Sequence, residues 1–93
     1  MHLAATGGAI ALGIYFGLAV AEWLWIVLAV GLVWFAEAVN TAIEQLGNAI
    51  TLDRNPQIGT AKDVAAAAVL FASATALAIG LLIFGPHVLK AFG

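Results

Sequence analysis

Three long apolar runs, separated by two short polar breaks, account for nearly the whole chain. The first, Leu3 to Val20, is long enough to span or nearly span the roughly 30 Å hydrocarbon core of a bilayer as a helix. Ala4, Ala5, Gly7, Gly8, Ala9 and Ala11 give it a small-residue surface of the kind that lets membrane helices approach closely. His2 stands at its start, where an interfacial histidine needs no special role. Ala21-Glu22-Trp23 interrupts the run, and a carboxylate beside Trp23 and Trp25 predicts a short turn at the membrane surface with an aromatic belt. A second helix is expected from Trp23 to about Thr51. It is longer than a bilayer requires, so its last turns, with Gln45, Gly47 and Asn48, are expected to project into water. Leu52 to Gly59 then combines Asp, Asn, Pro and Gly, the composition of a turn. Thr60 is a candidate cap for a third helix over 61–84, with Asp63 three residues on as a loose capping-box analogue. Gly85-Pro86 is expected to stop that helix, leaving His87 and Lys90 in a short polar-ended tail. The pattern predicts an all-α membrane protein, one domain over 1–93, with three transmembrane helices at about 3–20, 23–51 and 61–84.

Composition agrees. With 65% hydrophobic and 9% charged residues and a mean hydropathy of +1.11, the chain departs from soluble domains, in which about a quarter of residues are charged. Lipid must be the solvent for most of the outer face. The absence of cysteine excludes disulfides and thiolate metal sites. A net charge of −2 and the lack of a basic cluster predict no nucleic-acid partner. No basic n-region or A-x-A-like site leads into a soluble part, so a cleaved signal peptide is not expected. Arg54 and Lys62 flank the second connection, against Lys90 alone at the other end of the third helix. The positive-inside rule then predicts the 53–62 loop and the N-terminus in the cytoplasm and the C-terminus outside.

Against that background the polar residues of the second helix stand out. A carboxylate near mid-bilayer costs roughly 2.5–3.5 kcal/mol on insertion scales, yet Glu37 and Glu44 occur within one segment, with Asn40 between them. At about 100° per residue, Asn40 lies some 60° from Glu37 and Glu44 about 20° from it, so the three share a face over roughly 10 Å of rise. That face must meet another helix, a cation or a wet cavity. Two carboxylates, an amide and the Lys62-Asp63 pair are the parts of a phosphoryl-transfer site. Mg²⁺ takes a carboxylate or two plus nucleotide phosphates, a lysine offsets phosphate charge, and a carboxylate takes the proton of an attacking hydroxyl. No Walker loop or kinase glycine loop is present. On chemistry alone, a small cation- or proton-coupled transporter uses intramembrane glutamates equally well, and so does a purely structural contact between helices.

The E-x-x-N-T-A-I-E motif at 37–44 and A-K-D-V-A-A-A-A-V-L at 61–70, with Tyr-Phe-Gly-Leu…Glu-Trp over 15–23, resemble the prokaryotic diacylglycerol kinase family, which includes undecaprenol kinases. The similarity covers essentially the whole chain. It implies a small homotrimeric kinase of the bacterial inner (cytoplasmic) membrane that uses Mg²⁺ and ATP to phosphorylate a lipid hydroxyl, with active sites between protomers near the cytoplasmic interface. By the same resemblance Glu37 matches the general base and Glu44 a metal ligand. Asn40 is placed beside the metal and phosphates, Lys62 and Asp63 match a pair contacting ATP, and Asp53, Arg54 and Asn55 lie near the nucleotide. Asn48 departs from the family pattern, in which Asp is frequent, leaving one site carboxylate neutral. The pattern also places an amphipathic surface helix, an arginine and another metal-binding glutamate ahead of His2. This chain starts after them, so it is expected to lack one acidic ligand and a covering helix. A non-catalytic trimeric subunit that retains the fold is the alternative this departure raises.

Overall fold

The computed structural model describes residues 2–51 and 53–93; Leu52, the start of the expected turn, and the side chain of His2 lie outside the described residues. Three helices follow in order: α1 (His2–Phe16), α2 (Val20–Ile50) and α3 (Pro56–Phe92).

α1 ends earlier than the apolar run suggests. Gly17 adopts φ 63°, the left-handed conformation that glycine enters without a Cβ penalty. Its N–H donates to the Ile14 carbonyl at 3.2 Å and that of Leu18 to Gly13 at 3.1 Å, the two bonds of a Schellman motif. The turn is therefore Gly17-Leu18-Ala19, and Glu22 belongs to the first turn of α2 rather than to a break in the chain. There its Oε1 accepts from the Ala19 N–H at 3.0 Å. Alanine has no side-chain acceptor, so only this half of a capping box forms.

α3 begins before the expected start, because Asn55 caps it better than Thr60 can. The Asn55 Oδ1 accepts from the Gln57 and Ile58 N–H groups at 3.0 and 3.1 Å, and Pro56 supplies a first helical residue that needs no N–H partner. Thr60 is inside the helix, its hydroxyl donating to the Pro56 carbonyl at 2.9 Å, and Asp63 is likewise interior. At the other end Gly85-Pro86 does not stop the helix, which continues to Phe92. Proline forfeits one backbone bond there, but the residue before it has no Cβ to clash with the ring, which is the usual bar to helix at that position. Lys90 then complements the carbonyl end of the helix dipole, and the Gly93 N–H closes on Leu89 at 2.7 Å.

α2 and α3 form a long antiparallel hairpin, with α1 laid against one end. The 37 residues of α3 rise about 55 Å, the long dimension of a molecule measuring 55 × 20 × 18 Å. Buried positions on the hairpin are small or slender (Ile26, Ala29, Gly47, Ala65, Ala72), which permits close approach of the two axes. α1 is held by side chains. The Trp23 ring lies where a Cβ on Gly13 would be, Trp34 Nε1–H donates to Thr6 Oγ1 at 2.9 Å, and Phe16 stacks on His87 at 5.6 Å. His87 Nε2 in turn lies 2.9 Å from Glu22 Oε2, tying the two ends of the hairpin's far side together.

Two helices, α2 and α3, are long and apolar enough to cross a membrane, and most of their large apolar side chains are exposed. A buried core helix would not show that exposure. With 15 residues, α1 rises only about 22 Å.

Candidate active site

From Glu37 onward one stripe of α2 turns polar. Glu37, Asn40, Glu44 and Asn48 follow at helical spacing on a single face. Opposite the last two, α3 is in its second turn, where Lys62 reaches back across the hairpin. Its ammonium donates to Asn48 Oδ1 at 2.7 Å and stands 3.7 Å from Glu44 Oε2.

Gly47 makes that crossing possible. A Cβ there would sit 2.9 Å from Ile58 Cγ2 and 3.1 Å from Lys62 Cε, so the missing side chain is the channel through which the lysine stem passes. The Lys62 and Glu44 side chains remain 27% and 43% exposed. A pair this wet is worth about 0–1 kcal/mol to stability, so folding energy does not explain it. Asn40 differs: its Oδ1 is buried and has no hydrogen-bond partner among the described residues. Such a group costs roughly 1–3 kcal/mol unless something outside the chain satisfies it. Glu37, one turn before it, is half-buried.

The other expected site residues are placed less closely. Asp53 and Arg54 are exposed in the connection, where the Asp53 N–H donates to Thr51 Oγ1 at 2.9 Å. Asn55 uses its side-chain oxygen as the α3 cap. Asp63 is exposed, about 100° round α3 from Lys62. The structure thus brings Glu44 and Lys62 together. It adds Asn48, which sequence marked only as a departure, although its position four residues after Glu44 on the same face was a usable signal.

Among the described residues no group of three or more His, Asp and Glu is clustered tightly enough for an all-protein metal cage. Mg²⁺ does not require one, since it is usually held by one or two carboxylates together with substrate phosphates and water. The half-exposed Glu44 carboxylate and the unpaired Asn40 oxygen are hard donors of that kind, and they fit this mode of binding.

Further toward the N-terminus of α2, on the same face as the polar stripe, α1, α2 and α3 line an apolar cavity of about 220 Å³. Thr6, Ala9, Ile26, Val30, Trp34 and Phe84 are among its walls. Trp34, one of these walls, stands one turn before Glu37.

Residues 1–84 match the family described as "Prokaryotic diacylglycerol kinase". The chain belongs to the prokaryotic diacylglycerol kinase family. Membership makes it a lipid kinase, a phosphotransferase acting at a membrane. Among curated proteins it is similar to the undecaprenol kinase of Bacillus subtilis (strain 168), with 39% identity over 85 residues, covering 91% of this chain and 69% of that one. No solved structure matches the chain significantly.

Proposed function

We propose that this member of the family transfers the γ-phosphoryl group of ATP, with Mg²⁺, to the hydroxyl of a membrane lipid, undecaprenol or diacylglycerol. The observation that carries this reading is the Lys62 ammonium held 3.7 Å from the Glu44 carboxylate at the wet end of the hairpin. A positive group for phosphate and an oxyanion for a hard cation lie side by side there. Glu44, with Asn40 beside it, is the residue to hold Mg²⁺, which when bound supplies charge neutralisation on the β- and γ-phosphates. Lys62 binds phosphate oxygens in the ground and transition states alike. Glu37 accepts the proton of the lipid hydroxyl as its oxygen attacks phosphorus and ADP departs. The lipid chain extends from that hydroxyl into the apolar cavity beyond Trp34. Asp53 and Arg54, exposed in the 53–55 connection, meet the nucleotide in this reading, and Asp63 flanks its phosphates. The connection faces the cytoplasm, where ATP is, across a bacterial inner membrane.

The test is transfer of ³²P from ATP to each lipid by the purified protein in detergent. Labelled lipid phosphate that requires Mg²⁺ supports the reading, and ATP hydrolysis without labelled lipid removes it.

The active unit in this proposal is a homotrimer with α1 as a third span. Among the described residues a single chain buries only Leu18, Ile26, Ala29, Ala65 and Ala72 of its apolar side chains, and leaves the Asn40 oxygen without a partner. Neighbouring copies cover the polar stripe and complete the site. Native mass spectrometry from micelles is expected to show three copies, and a monomer that retains kinase activity would refute the shared site.

A further inference from the structure

We infer that Asn48 is a positioning residue for Lys62: its neutral amide holds the ammonium ready for the nucleotide and keeps it off the Glu44 carboxylate. The inference rests on the proposed role of Lys62 in nucleotide binding. Within the hairpin the lysine has two acceptors to choose from, and charge alone favours the carboxylate. The distances show the reverse, with Asn48 Oδ1 at hydrogen-bond length, 2.7 Å, and Glu44 Oε2 beyond it at 3.7 Å. A salt bridge at full contact would neutralise both groups, each of which has other work in the site. An amide oxygen fixes the ammonium without bringing a second negative charge into contact with it. Gly47 contributes the path, because the Lys62 stem lies over it within the space a Cβ would fill. One turn of α2 therefore supplies both the opening and the hold, and the Glu44 side chain stays 43% exposed.

Removing the amide releases Lys62 to pair with Glu44, which weakens nucleotide binding through both residues. The experiment is a double-mutant cycle on Mg-ATP affinity, measured on the full chain in detergent for the unsubstituted protein, Asn48→Ala, Lys62→Ala and the pair. Asn48→Ala is expected to weaken affinity about tenfold, the scale of one hydrogen bond to a charged partner. The same change in the Lys62→Ala background is expected to do nothing further. Asn48→Gln, which keeps a neutral amide oxygen within reach of the ammonium, restores the affinity lost in Asn48→Ala to within about threefold. It also reports on folding, since a generally damaged helix would not be rescued by a second amide. Equal losses in both backgrounds, or no loss from Asn48→Ala, overturn the inference while leaving the kinase reading intact. If Lys62→Ala itself leaves affinity unchanged, or the unsubstituted chain binds no Mg-ATP, the reading beneath it fails instead.

Discussion

Glu37→Gln lowers kcat by about 10²–10⁴, the usual contribution of a positioned general base, and leaves Mg-ATP affinity nearly unchanged. The split follows from where the residue stands. Glu37 is two helical turns from the Glu44–Lys62 pair and one turn from Trp34, which lines the apolar cavity. In the proposed mechanism its carboxylate is needed when the lipid hydroxyl gives up a proton, and holding the nucleotide does not depend on it. Glutamine keeps the volume and removes the basic oxygen, so the lipid still binds and reacts slowly. Initial rates against ATP and lipid, with nucleotide affinity measured separately, check this. A parallel loss of affinity would move Glu37 into the phosphate site. Unchanged kcat would end its role as a base.

The second large effect is expected at Glu44. Glu44→Gln removes the charge on which a hard cation depends while leaving the side chain able to fill its place. Metal affinity tolerates loss of even an outer-shell partner only at a cost of about 10–100-fold, so loss of the carboxylate itself lowers kcat/KM by at least about 10². Nucleotide affinity is expected to lose its dependence on Mg²⁺ concentration, with thermal stability little changed, because the pair with Lys62 is too wet to contribute much. Titration of nucleotide binding at several Mg²⁺ concentrations reads this directly. Higher stability with intact Mg-ATP binding would make Glu44 a polar contact and nothing more.

Hydrophobic runs and the two motifs make the helical class and the family legible in the sequence. They located the boundaries less well, and the reason is local competition. Glu22 reads as a break because a carboxylate between apolar runs suggests the surface, yet three residues after Ala19 it is also where a helix start is stabilised. Asn55 was assigned to the nucleotide by resemblance, and its capping of α3 depends on a β-region backbone that composition does not reveal. Pro86 is tolerated because Gly85 precedes it, so a pair that usually ends helices here leaves one intact. In the site, Lys62 and Glu44 came from separate motifs, and only the hairpin register shows that they meet. The hold by Asn48 required the same register plus the absence of a side chain at Gly47.

The length of α3 ties this enzyme to the thickness of its membrane. Lys62 and Lys90 stand about 42 Å apart along the axis at 1.5 Å per residue, close to the roughly 40–45 Å of a bilayer with its headgroups. The two ammonium groups therefore act as floats, one at each surface, and fix the depth at which the hairpin rides. Thicker lipid would draw the Lys62 end toward hydrocarbon or stretch the floats inward, and thinner lipid would tilt the rod, at fractions of a kcal/mol per ångström of mismatch. In the proposed site Lys62 is also a ligand for phosphate, so one side chain would carry both the depth of the hairpin and its hold on the nucleotide.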